Sequence, residues 1–291
     1  VRGMAALAGA GTDDWGTTGA HSYILYRLMW NPDDSMEDIA RDFCAIHFGA
    51  AAAEEMARIL LLTPTAHQYG LHIEPISYGQ FNSFLHMRVG TFPADGYPAI
   101  DGGKEHLAFL RRVYLRCVPW RGPTLNALAQ GLGAADEMTA RYADARGKIA
   151  DPALAEELGI RLAMTRNLIR TNIGYVKVMF AYFDQMDAPS PEHHAALAEA
   201  LECLATAKAD FQATPGFKFD LFGVNALQQN AEDALKDTEA ARERLARIPN
   251  RREIEALIAD QQRRYREVLE AHKADARLFA RFEVLVDGQD M

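Results

Sequence analysis

The feature that most constrains this chain is a run that opens at Asp151-Pro152 and closes near Asp187. Within it Leu154, Leu158, Leu162, Ile169, Ile173, Val176, Phe180 and Phe183 recur at helical spacing. An aspartate followed by proline is a good start, because the carboxylate accepts from the unpaired amides of a first turn and proline has no amide to leave unpaired. The spacing predicts one helix about 50 Å long with a broad apolar stripe. A rod of that length cannot bury its own stripe, so other helices must cover it. Segments 191 to 212, 224 to 247 and 251 to 275 carry the required periodicity. Ser190-Pro191 opens the first of them, Thr214-Pro215-Gly216 closes it, and Pro249-Asn250 separates the last two. In the last, Ile254, Leu257, Ile258, Tyr265, Val268 and Leu269 form the apolar side. That leaves Arg263, Arg264 and Arg266 to a solvated margin, with a phosphate-binding patch as the competing reading.

Upstream, Asn31-Pro32-Asp33-Asp34-Ser35 precedes another helical period. Ser35 with Asp38 three residues on is a near capping box, and Asp33, Asp34, Glu37 and Asp38 suit the positive end of a helix dipole. Met36, Ile39, Phe43 and Ile46 are the expected buried side, with Gly49 as the stop. A second reading takes Asp33, Asp34 and Asp38 as the DDxxD-like magnesium site of an all-helical isoprenoid synthase. That motif belongs inside a helix, whereas Pro32 and Ser35 put this one at a helix start.

The ends differ from this helical middle. Val1 to Gly11 is small, apolar and glycine-rich, as expected of a buried strand and the loop that leaves it. From Leu278 to Met291 the helical period is lost, and Phe282, Val284 and Val286 alternate before an Asp-Gly turn signal. A lone strand at each end cannot satisfy its backbone groups, so both are expected to be pieces of a longer polypeptide. Between Leu62 and Gly103 the period is neither 2 nor 3.6. Pro64, Pro75, Pro93 and Pro98 alternate there with Tyr69, Tyr78, Phe81, Phe84, Phe92 and Tyr97, which predicts a long irregular loop of the kind that carries function.

Composition excludes several classes. With 49% apolar and 24% charged residues the chain reads as globular. The formal charge is −9, and residues 1 to 100 hold five basic against eleven acidic side chains, which argues against a nucleic-acid footprint. The most apolar stretch, Met56 to Leu62, is far short of the roughly 20 residues of a membrane helix. Cys44, Cys117 and Cys203 are widely spaced, contain no CxxC and read as small buried hydrophobes, not a disulfide framework or a zinc site. No compartment can be read from them.

The densest polar group is Thr12 to His21, TDDWGTTGAH, on a strand-to-helix loop where α/β barrels place their active sites. Asp13, Asp14, Trp15 and His21 are candidates for binding a sugar, since carboxylates accept from hydroxyls and an indole face packs on C–H surfaces. The alternative is that Asp13 with Thr17 or Thr18 merely caps the following helix. In the irregular stretch, His67, His72, His86 and Glu74 match no metal-ligand spacing such as HExxH, so no metal or other cofactor is expected, and His72 and Tyr78 are taken as ligand contacts. GxSxG, P-loop and GxGxxG signatures are absent. Asp13 and Asp14, adjacent in sequence, point in different directions and do not make the carboxylate pair, about 5 to 10 Å apart, that a glycosidase needs. No catalytic residue is therefore assigned.

The stretch from MAALAGAGTDDWG through YILYRLMWNPDDSMEDIARDFCAIHFG resembles the end of the barrel in α-glucuronidases of glycoside hydrolase family 67 and related barrel glycosidases. Arg27, Leu28, Trp30, Asn31, Pro32, Ser35, Phe48 and Gly49 carry the resemblance. It implies a mainly α, multi-helix chain with a TIM-barrel remnant at its start. Residues 1–30 would be the last strand, loop and helix of the barrel. The rest would be the helical domain that packs on such a barrel; with the residue pattern above, that domain is 31–277, with the irregular loop at 62–103, and 278–291 is the start of a β-rich module. It also implies an oligo- or polysaccharide substrate, bound through the parent barrel with its catalytic acids on earlier strands. Homo-oligomerisation is left open. The competing class is a non-enzymatic helical scaffold that binds a protein partner through Tyr78, Phe81 and Phe84.

Overall fold

A computed structural model describes residues 20–71, 121–218 and 221–247, single positions between 107 and 118, and Arg263 and Glu267. Among these the secondary structure is helical throughout. The helices are α1 (Ala20–Trp30), α2 (Met36–Phe48), α3 (Ala53–Leu71), α4 (Arg121–Ala145), α5 (Pro152–Asp187), α6 (Pro191–Gln212), α7 (Phe222–Lys236) and α8 (Thr238–Ala246), with a 3-10 turn at Arg146–Lys148. The chain is mainly α and multi-helical, as its periodicity requires. The expected strand and loop within 1–19, most of the irregular stretch, the helix at 251–275 save two positions, and the strand at 278–291 lie outside the described residues. Arg263 donates to Glu267 one turn on at 3.0 Å, both well exposed, which fits the solvated margin assigned to it.

The long helix has the bounds that its sequence signals gave. Asp151 Oδ1 accepts from the amides of Ala153 at 2.9 Å and Leu154 at 3.4 Å, and Pro152 is the first helical residue. The helix runs 36 residues to Asp187. Leu158, Leu162, Ile169, Val176, Phe180 and Phe183 of the expected stripe are buried. In the second half the burial spreads round the helix. Tyr175, Val178, Met179, Tyr182 and Met186 are buried as well, and Lys177 is the exposed exception before Asp187. A helix apolar on all sides is an interior one.

The described helices fall into two compact units, with the division passing through α5 after Ile173 and through α6 after Cys203. In the first unit α3 and α4 pack antiparallel. Glu55 near the start of α3 meets Arg141 near the end of α4 at 3.0 Å, and Gly70 near the end of α3 meets Gly131. There the two backbones touch. A Cβ on Gly131 would lie 2.1 Å from the Gly70 nitrogen, and one on Gly70 would lie 2.7 Å from the Ile169 side chain on α5. The Gly70 carbonyl, one turn-end acceptor of α3, accepts from Asn172 Nδ2 at 3.0 Å. Asn172 is fully buried, and its Oδ1 has no partner among the described residues.

This crossing explains one departure from expectation. The irregular stretch was to begin at Leu62, yet α3 continues through Pro64 to Leu71. A proline inside a helix removes a hydrogen bond and costs about 3 kcal/mol. Burial of Ala66, and of Gly70 against Gly131 of α4 and Ile169 of α5, supplies the compensation, and the Thr63 hydroxyl donates to the Ile59 carbonyl at 3.3 Å within the same turn.

Three further expectations are corrected. On α2 the buried face is Ile39, Ala40, Phe43, Cys44 and Phe48, whereas Met36 and Ile46 are 40% and 68% exposed. Phe48 and Gly49 turn the helix toward Ala150, whose amide donates to the Phe48 carbonyl at 2.9 Å, so the inward face is centred on that side. Gly49 has φ +90°, a backbone that glycine adopts without strain, and a Cβ there would sit 3.1 Å from that of Ala150. The segment 224 to 247 is two helices. Asp237 at φ −150°, ψ 92° ends α7, and its carboxylate accepts from Ala240 to cap α8. Cys203 is exposed, on the outward side of α6, while Cys44 and Cys117 are buried as expected.

In the second unit Arg111 grips the end of α5. Its fork donates to both Asp187 oxygens at 2.9 and 2.8 Å, and its guanidinium lies 5.3 Å from the Tyr114 ring and 5.1 Å from that of Phe183. The Tyr114 hydroxyl donates to Asp184 at 2.9 Å, and Arg242 Nε donates to the Met186 carbonyl at 3.0 Å. Side chains from outside the helix therefore hold two carboxylates of the last turn of α5 and one of its open carbonyls, that of Met186.

Gly131→Ala should destabilise the protein by about 3 kcal/mol, because overpacking at a backbone contact forces the helices apart. Gly133, two residues on and exposed, has open space around it, so Gly133→Ala should add about 1 kcal/mol through helix propensity. Urea midpoints at unchanged slope measure both. Burial pushes the Cys44 thiol up to about 12, so iodoacetamide at neutral pH should label Cys203 first, with Cys44 and Cys117 modified only on unfolding, as peptide mass spectrometry would resolve.

Candidate functional site

Of the six residues expected to face a ligand, Asp13, Asp14, Trp15, His72 and Tyr78 lie outside the described residues. His21 is the second residue of α1, and its side chain also lies outside them. The described residues therefore bring none of the six together. What they do show in detail is the corner between α1 and α2, where Arg27, Trp30, Asn31, Pro32 and Ser35 stand.

Arg27 is the hub of that corner. Its Nε and Nη2 donate to Asp34 at 3.2 and 2.9 Å, and its Nη1 donates to Asp42 at 2.8 Å and to the Tyr23 hydroxyl at 3.1 Å. The guanidinium also stands 5.8 Å from the Tyr23 ring, which packs on Phe43 of α2 with centroids 5.5 Å apart. These bonds, that to Asp42 first, raise the already high Arg27 pKa further. Each of its three nitrogens donates to a protein acceptor, and four of its five N–H groups are so used, which makes Arg27 a clamp between α1, the turn and α2.

Around it the backbone is folded by short polar contacts. The Asn31 amide donates to the Arg27 carbonyl at 2.8 Å, closing α1, and Asn31 Oδ1 accepts from the Asp33 amide at 3.3 Å. Asn31 Nδ2 donates to Asp34. Ser35 then caps α2: its oxygen accepts from the Asp38 amide at 3.1 Å, and its hydroxyl donates to the Asp38 carboxylate at 2.8 Å. This hydroxyl, followed by Arg41, holds the Asp38 carboxyl below its ordinary range. Asp33 and Asp34 sit in the turn before α2, not within a helix. Asp34 and Asp38 are each engaged by an arginine, an arrangement that closes a corner instead of aligning carboxylates on one helical face.

From Asp38 the charges continue in alternation. Arg41 joins Asp38 at 2.8 Å and Glu54 at 3.0 Å, Arg58 joins Glu54 at 3.1 Å and Glu55 at 2.8 Å, and Arg141 joins Glu55 at 3.0 Å and Glu137 at 2.7 Å. This ladder runs over α2, α3 and α4 at the solvent edge and neutralises the arginines it uses. Among the described residues no cluster of three or more metal-ligating side chains occurs, and no helix is long and apolar enough to cross a membrane.

Residues 2–60 match a domain of unknown function, DUF4838. The match takes in α1, α2 and the start of α3, and with them every position that carries the glycosidase resemblance. No curated protein and no solved structure matches the chain.

The feature that sequence reasoning passed over is the outer side of α1. Tyr23 and Arg27 point to α2, while Tyr26 and Trp30, one turn apart, are 53% and 91% exposed. The signal was present in AHSYILYRLMW, which has apolar residues at nearly every position and so no polar face to give to water.

Ser35→Ala should cost about 1 kcal/mol in urea unfolding. It should also move the Asp38 carboxyl back toward its ordinary range in an NMR titration, because the hydroxyl is the largest cause of its depression. A carboxyl depressed in the folded state contributes stability above its unfolded pKa and loses it as pH falls through the folded value. The variant's deficit should therefore narrow in acid.

Proposed function

We propose that this chain is the helical C-terminal portion of a carbohydrate-active glycoside hydrolase of the α-glucuronidase-like kind. In this reading α1 is the last helix of a (β/α)8 barrel, and the helices after Pro32 buttress it. The observation that carries the reading is the two-sidedness of α1. One side is clamped to α2 by Arg27 and Tyr23, and the other presents Tyr26 and Trp30 bare. An exposed aromatic side on an otherwise apolar helix supports this reading, because a barrel helix packs such a side on its sheet. The residues that carry the resemblance, from Arg27 to Gly49, make the joint between that helix and the helical domain. The substrate class is oligo- or polysaccharide, met by the barrel and by the loop that holds Asp13, Asp14 and Trp15.

Two measurements test it. The isolated chain should show no turnover of aldouronic or aryl-glycoside substrates, while the polypeptide including the residues encoded upstream should release the sugar; turnover by the isolated chain overturns the scaffold role. Trp30→Ser should leave the melting temperature of the isolated chain unchanged and lower that of the longer polypeptide by several degrees, about what 1–2 kcal/mol of lost burial produces in a large protein. An equal effect in both would mean that Trp30 packs within this chain and that no barrel sheet covers it.

A further inference from the structure

We draw no further inference here: the strongest candidate, the fully buried Asn172 carboxamide beside the Gly70–Gly131 helix crossing, whose Oδ1 has no partner among the described residues, is a single polar atom, and nothing in the structure shows a ligand that it would hold.

Discussion

Backbone contact between α3 and α4 at Gly70 and Gly131 sets the geometry of the first unit. Two helices with ordinary side chains at the crossing stand 8 to 10 Å apart, whereas glycine on both allows main chain to touch main chain. Each glycine costs about 1 kcal/mol of helix propensity, and the proline in α3 costs more. The sequence retains all three because the crossing brings Ile169 of α5 over Gly70 and lets Asn172 reach the Gly70 carbonyl. Asn172 could not serve that carbonyl from farther away. Its Oδ1, by contrast, is buried without a partner among the described residues.

The α1–α2 corner rests on a different kind of force. It has few buried atoms, and its order comes from saturating hydrogen-bonding groups. Arg27 spends Nε and both Nη atoms on Asp34, Asp42 and Tyr23, and Asn31 and Ser35 satisfy the amides that the turn would otherwise leave open. Exposed ion pairs contribute little each, but a planar fork that spans the turn and the second helix fixes direction as well as distance. The same accounting argues against an anion site in this corner. A guanidinium already held by two carboxylates and a phenol would have to surrender one of them to grip a substrate carboxylate with two parallel bonds.

Much of this was legible from the residues, and the misses have physical causes. The bounds of α5 followed from Asp151-Pro152 and the length of its stripe, and the cap at Ser35 and stop at Gly49 followed from local chemistry that acts within four residues. Pro64 misled because helix propensity is local, while the packing that overrides it comes from Gly131 and Ile169, 67 and 105 residues away in sequence. Ile46 was placed inside because spacing gives a face but not its centre, and the docking of Phe48 on Ala150 shifted that centre. The break at Asp237 was a cap signal hidden inside a continuous apolar period. At the candidate site, the acids after Pro32 were read correctly as helix-start residues, but their arginine partners, Arg27 behind them and Arg41 ahead, were not foreseen. Charge pairing across a turn leaves no periodic trace.

The rigidity of that corner bears on what α1 can transmit. Arg27 sits one turn from the end of α1 and holds both the connecting turn, through Asp34, and the first half of α2, through Asp42. Rotation of α1 about the Asn31-Pro32 step would break all of these bonds together, and proline itself fixes one of the two backbone torsions there. Phe48 and Gly49 then pin the far end of α2 to Ala150. A load applied to the bare side of α1 at Tyr26 and Trp30 would therefore pass through α2 without a compliant joint. In the proposed reading this makes the first two helices a bracket: their sequence holds one angle, while the loop before α1 meets the sugar and the catalytic acids stand on other strands of the barrel.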